Sequence, residues 1–223
     1  MPTLNPTPES EAMKQYQLIL AAATVLILPS CVVGRRTIDP PVPVGDHTAA
    51  KGSVVIASIR DLRVFENKPS KPSTPSINGD HTTMSAAEKS RMVGRQRNGY
   101  GMAMGDIGLP ADQSVQNKTR QLLAEAFARR GYTLAEGGGN SAGADIQEFW
   151  AWFTPGMWYV QFEAVIQCRL TVSKGGTSRT LTVKGHGTNG GQVASDANWN
   201  LAYERAFTDF LTNLDSELKR TGF

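Results

Sequence analysis

Residues 144–172 read Ala-Asp-Ile-Gln-Glu-Phe-Trp-Ala-Trp-Phe-Thr-Pro-Gly-Met-Trp-Tyr-Val-Gln-Phe-Glu-Ala-Val-Ile-Gln-Cys-Arg-Leu-Thr-Val, and this stretch decides the fold. From Val160 onward the apolar residues fall at every second position: Val160, Phe162, Ala164, Ile166, Cys168, Leu170 and Val172. Gln161, Glu163, Gln167, Arg169 and Thr171 take the alternate positions. A period of two marks a strand with one face in a core and the other toward solvent. Thr154-Pro155-Gly156-Met157 is a turn tetrapeptide, so residues 144–153 are expected to form the first arm of a hairpin. If Thr154 and Met157 close a two-residue turn, Phe153 faces Trp158, Trp152 faces Tyr159, Ala151 faces Val160 and Phe149 faces Phe162. Phe149, Ala151 and Phe153 then join the core face. Trp150, Trp152 and Tyr159 fall on the opposite face, where they are expected to form an open aromatic binding surface.

Outward from this hairpin, Lys174-Gly175-Gly176 turns the chain into a third strand over Thr180 to Val183. Asp196 to Leu218 follows as an amphipathic helix with Tyr203, Ala206, Phe207, Phe210, Leu214 and Leu218 in its apolar stripe. On the N-terminal side, Val115, Leu122, Leu123, Ala126 and Phe127 mark an earlier helix, with Asp112 as the expected cap and Gly131 as the stop. Met92-Val93 and Met102 to Ile107 read as a hairpin around Asn98-Gly99, and Ser53 to Ile59 as a first strand. Residues 66–83, with Pro69, Pro72 and Pro75, read as a long surface loop. These elements predict an α+β fold, a two-layer sandwich in which two amphipathic helices pack on one face of a largely antiparallel sheet.

The chain has 223 residues, of which 40% are hydrophobic, enough for one domain with a substantial core. The formal net charge is +3. Lys14 is the only basic residue before Cys31, against Glu9 and Glu11, so the remainder carries +4. That mild, dispersed charge gives no reason to expect nucleic acid as a partner. Two cysteines, Cys31 and Cys168, are too few for a disulfide framework or a cysteine-rich zinc site. His47, His81 and His186 lie far apart and show no metal-ligand spacing. No metal or other cofactor is expected.

Residues 18–28, Leu-Ile-Leu-Ala-Ala-Ala-Thr-Val-Leu-Ile-Leu, form an uncharged run of 11, short of the roughly 20 apolar residues that a membrane span needs. The length suits the hydrophobic region of an export signal, with Met13-Lys14 before it as the positive region and Met13 as a candidate true start. The run ends in Leu28-Pro29-Ser30-Cys31, which looks like a lipobox in which Pro29 departs from the usual small or β-branched residue. Residues 1–30 therefore read as a signal peptide, Cys31 as the lipidated first residue, 31–50 as a flexible tether, and 51–223 as a single periplasmic domain. By analogy with lipoprotein sorting, Val32 in place of aspartate implies the outer membrane.

Several clusters invite a chemical reading. Lys89, Arg91, Arg95 and Arg97 form the densest basic group, a candidate patch for phosphate-bearing lipid or an acidic partner. Glu148 and Glu163 are candidates for paired acid/base work across the hairpin. Gly185-His186-Gly187-Thr188-Asn189-Gly190 matches a dinucleotide fingerprint but sits in an antiparallel meander, so a plain turn is expected. Cys168, on the apolar face of its strand, is expected to be a buried, inert thiol. No catalytic constellation emerges.

The signal ending at Cys31, the strand Val54-Val55-Ile56 and the segment Met92-Val93-Gly94-Arg95-Gln96-Arg97-Asn98-Gly99-Tyr100-Gly101 together resemble the YajG-like family of bacterial lipoproteins. The helix before Gly131-Tyr132, the aromatic hairpin and the closing helix continue the resemblance, which covers most of residues 51–220. It implies location and architecture, and brings no established catalytic residues. The expected function is that of a non-enzymatic accessory, structural or binding subunit. Its partners would be the membrane, through lipid on Cys31, and an envelope protein or cell-wall material. A periplasmic hydrolase of cell-wall or lipid material is the alternative, and it requires Asp145, Glu148, Glu163 or His186 to converge on a pocket.

Overall fold

A computed structural model describes residues 34–223 except 99, 101, 157 and 158. Cys31 and the expected signal peptide lie outside the described residues. The elements in chain order are β1 (Arg36–Thr37), β2 (Gly52–Asp61), a 3-10 turn (His81–Thr83), α1 (Ala86–Lys89), β3 (Met92–Arg97) and β4 (Ala103–Gly108). There follow α2 (Val115–Arg129), β5 (Tyr132–Leu134), β6 (Ser141–Pro155), β7 (Val160–Lys174), β8 (Thr177–Gly191) and α3 (Asp196–Thr221). The α+β sandwich is as the sequence predicts, and among the described residues no helix is long and apolar enough to cross a membrane.

The strands form one mixed sheet. The longest ladders, β6–β7 and β7–β8, are antiparallel, whereas β1–β4, β2–β5, β2–β6 and β3–β6 are parallel. One edge of β6 belongs to β7, and its other edge is shared. β2 pairs with its first half, ending at Asp61 opposite Ile146, and β3 pairs further on, at Gly94 opposite Ala151. The sheet therefore forks beside β6, with Phe149 at the fork. Arg63 fills the gap. Its Nη1 donates to the carbonyls of Met92 (2.6 Å) and Phe149 (2.9 Å), and its Nη2 to that of Lys89 (2.9 Å). Asp61 holds the same guanidinium with two bonds of 2.8 Å. Backbone carbonyls that the divergence of β2 and β3 would leave buried and unpaired are thereby satisfied.

The β6–β7 hairpin departs from the two-residue turn expected for it. Phe153 pairs with Phe162, Ala151 with Ala164 and Phe149 with Ile166, so the tip spans residues 156–159. The pairing is displaced by four residues, an even number, and the faces are therefore preserved. Phe149, Ala151, Phe153, Phe162, Ala164, Ile166 and Cys168 all lie in the main core. α3 packs there, with Phe149 stacked on Tyr203 at 5.4 Å and Phe162 edge-on to Trp199 at 5.0 Å. Tyr203 places its hydroxyl on the carbonyl of Val93, and burial raises its pKa. α2 adds Leu122, Leu123, Ala126 and Phe127 to the same core. Its cap is Ser114, which accepts from the amide of Asn117, and not Asp112, because Gln113 bonds back to Pro110 and keeps Asp112 in the preceding turn.

Thr180 to Val183 is the middle of a strand of 15 residues that continues through the glycine-rich segment expected to be a turn. A Cβ on Gly185 would stand 2.2 Å from the carbonyl oxygen of Ala206, and one on Gly187 2.2 Å from that of Ala202. These glycines let the backbone of α3 lie directly on β8, so the dinucleotide fingerprint is a helix-packing seam.

Residues 34–50, expected within the flexible tether 31–50, run along the domain. Arg36 and Thr37 pair with Ile107 and Gly108, and Ile38 is buried in the core. Asp39 and the carbonyl of Pro40 hold the buried Lys118 at 2.6 and 3.0 Å, while Glu125 holds the amide of Gly45 and the ring of His47. Thr48 bonds to the carbonyl of Arg129. The tether expectation failed because few large side chains are involved and the segment docks through polar contacts, which have no periodic signature. A chain beginning at Gly45 is expected to be less stable than one beginning at Gly34 by ~2–4 kcal/mol, through loss of Ile38 burial and of the partners of Lys118. Urea unfolding of the two chains measures this, and equal midpoints would refute it.

Candidate functional site

The three aromatic residues expected to form an open patch are separated by the structure. Trp150 points away from the main core as the alternation requires, but it is only 1% exposed. The proline-rich segment after β2 folds across it. Phe65 meets the indole edge-on at 6.0 Å, its Nε1 donates to the carbonyl of Pro72 (3.2 Å), and Ile77 and Met92 complete a second, smaller apolar cluster. Trp152 is half-buried against that cluster, and Tyr159 is exposed at the hairpin tip. The patch fails because burial of Trp150, Phe65 and Ile77 stabilises the loop in place. Prolines 69, 72 and 75 reduce the entropy lost when the loop orders.

The basic group is likewise no surface patch. Lys89 and Arg91 are half-buried near α1, whereas Arg95 and Arg97 are buried beneath the same loop. Arg95 bonds to the carbonyl of Ile77 and lies 3.6 Å from Asp106, which also accepts the amide of Asn78. Arg97 donates to the carbonyl of Pro69 and to Ser76 Oγ, each at 3.2 Å. Two positions apart on β3, these side chains share one side of the sheet. Burial lowers the pKa of both guanidinium groups. For Arg95, Arg97 lowers it further, while Asp106 opposes the shift. Between β3 and the loop lies a cavity of about 770 Å³ lined by Arg95, Arg97, Lys68, Asn78 and Met102 among others. A neighbouring groove of about 500 Å³ runs between Trp152, Val165, Glu148 and Lys184 on the sheet and Pro75 on the loop. These are the recesses that loop and sheet form together.

The carboxylates expected to converge in a hydrolase are spread along the open side of β6, β7 and β8. Asp145 is held by Arg60 at 2.7 Å and Arg169 at 3.0 Å, and its bonds to those arginines lower its pKa. Glu148 pairs with Lys184 at 3.5 Å, and Glu163 with His186 at 3.4 Å. The displaced register places Glu148 opposite Gln167 and Glu163 opposite Trp152, so the two glutamates do not face one another. Asp145 pairs with Arg169 in the ladder, six positions from Glu163 along β7, or about 20 Å at the usual rise per residue. Cys168 is buried and free, with its thiol pushed up to about 12 by desolvation, as expected of an inert side chain. Arg63 escaped the sequence reading altogether, since Asp61-Leu62-Arg63 looks like any polar strand end. The signal available was a charged pair two residues apart where a strand gives way to a loop.

No family model matches the chain, and the comparison with curated proteins gave no match. Among the solved structures that resemble it distantly are two uncharacterised proteins. One is an uncharacterised protein, 10% identical with a TM-score of 0.42 over 83% of this chain and 98% of that one. The other is a protein from Xanthomonas campestris of the family DUF330, 14% identical with a TM-score of 0.44 over 85% of this chain and 93% of that one.

Proposed function

We propose that the chain is an exported envelope lipoprotein of YajG-like type. It is cut before Cys31, acylated on that cysteine, and carries a non-enzymatic accessory or binding domain on the periplasmic side of the outer membrane. The observation that carries this reading is the uncharged run 18–28 ending in Leu28-Pro29-Ser30-Cys31. The position of the fold supports it, because the compact unit begins at Gly34, directly after the proposed anchor. A single acyl chain binds a membrane marginally, whereas two or more hold a protein stably, so a diacylated or triacylated cysteine would suffice. A binding role is further supported by the recesses between the proline-rich loop and the sheet, while the candidate carboxylates lie against arginine, lysine and histidine side chains.

Changing Cys31 to Ser is expected to move the protein from the membrane fraction to the soluble fraction with its melting temperature unchanged. Mass spectrometry of the N-terminal peptide checks the lipid directly. An unmodified Cys31 on a chain that begins at Met1 would overturn the reading.

A further inference from the structure

Large apolar side chains left singly on a protein surface need no explanation. Among the described residues four of them gather at one end of the sheet. Tyr100 is 91% exposed and Met102 60%, both in the β3–β4 connection. Tyr159 is 56% exposed at the β6–β7 tip, and Val193 66% just after β8. The ladders put them at the same end. β3 runs parallel to β6, so their C-terminal ends lie together. β6 ends with Pro155 opposite Val160, which in turn pairs with Gly191 at the end of β8.

The first described residues lie at this end too. The amide of Gly34 donates to the carbonyl of Met104 at 3.2 Å, and a Cβ on Gly105 would collide with the carbonyl of Gly34, so the two backbones are in contact. Gly105 pairs with Gln96, near the end of β3. Cys31 precedes Gly34 by three residues, which reach about 10 Å at full extension. The tips stand only a few residues beyond Gly105. The opposite end of β6, at Ser141, lies about 45 Å away at the usual rise per residue.

We propose that this end of the domain rests on the bilayer that holds the acylated Cys31, with Tyr100, Met102, Tyr159 and Val193 among the lipid headgroups. The inference rests on the lipoprotein reading and adds to it the face that meets the membrane. An anchor that short keeps the entry point at the surface, so apolar groups beside it contact lipid without further loss of chain freedom. Tyrosine suits the site, having an apolar ring for the acyl boundary and a hydroxyl for water. Exposed cations stand near the tips. Lys68 lines the cavity that Met102 borders, with Asp80 the acidic group among the lining residues, and Arg35 lies beside Gly34. Basic groups at this depth attract anionic headgroups.

The test uses the full, acylated protein in vesicles of phosphatidylethanolamine and phosphatidylglycerol. Single cysteines are introduced by Tyr100→Cys, Tyr159→Cys and, at the far end, Leu134→Cys, and are labelled with a fluorophore. Labelling is selective, because acylated Cys31 has no free thiol and Cys168 is buried. Labels at 100 and 159 are expected to be quenched by headgroup-nitroxide lipid and shielded several-fold from aqueous iodide relative to the label at 134. If vesicle-bound, acylated protein shows all three labels equally open to iodide, the membrane-facing end is wrong and the lipoprotein reading stands. A tip that docks on a protein instead would give this result. If Cys31 carries no lipid and the protein does not float with vesicles, both fall together.

Discussion

Replacement of Arg63 by Met is expected to destabilise the protein by about 3–5 kcal/mol, the cost of breaking a buried, hydrogen-bonded ion pair from one side. Met keeps the apolar stem of the side chain as far as the Nε position, so the loss reads chiefly the guanidinium and its hydrogen bonds. Without it the carbonyls of Met92, Phe149 and Lys89 lose their donor, and Asp61 is left with an uncompensated charge. The contact of the guanidinium with the ring of Phe65, at 5.2 Å, goes as well. Urea unfolding is expected to show a lower midpoint with an unchanged slope. The double variant Asp61→Asn/Arg63→Met is expected to cost less than the two single changes added together, because the second removes a charge that the first orphans. A loss below about 1 kcal/mol for Arg63→Met, the range of an exposed pair, would show that the fork does not depend on it.

Gly187→Ala is expected to cost about 1–3 kcal/mol, the range for overpacking a tight core, and Gly185→Ala a similar amount. In both cases the new methyl group meets the backbone of α3, at Ala202 and Ala206, which no rotamer change can move aside. The helix must lift, and with it Trp199, Tyr203 and Phe210 lose contact with the sheet. Gly190→Ala, in the same strand, is the control. Its Cβ would meet only Tyr159 Cδ2 at 3.9 Å, so its stability is expected to stay near that of the parent. Thermal unfolding of the three variants decides the matter. Equal melting temperatures across the set would mean that the helix tolerates the methyl groups, and that the glycines serve the strand alone.

The same seam shows where sequence reading reached its end. Glycine signals a turn and a close approach alike, and only the position of α3 tells them apart. Both long helices and most strands were legible, because each repeats its apolar residues with its own period. The faces of β6 and β7 were legible even though their register was not, since a displacement of four leaves the alternation intact. The parallel pairings of β2 and β3 with β6 join segments far apart in the chain and leave no local trace. The aromatic and basic patches failed for a common reason. Alternation assigns Trp150, Arg95 and Arg97 to the second face of the sheet correctly, but it is blind to an aperiodic loop that covers that face. The cap on Trp150 consists of backbone carbonyls and prolines, which carry no periodicity to read.

The N-terminal strap has a mechanical consequence. Any pull applied through residue 31 enters the domain at Gly34, and it meets first the two-residue strand β1 and then the contacts of Asp39, Gly45 and Thr48 in turn. A pull that peels the strap from Gly34 inward would load these bonds one after another, ahead of the long ladders of β6, β7 and β8. Peeled as far as Ala50, the strap would lengthen the link between residue 31 and the fold by up to about 55 Å, at the reach of an extended chain. Such a strap would serve as a leash, short at rest and long under load, if the β6–β7–β8 ladders stay paired while it is drawn out.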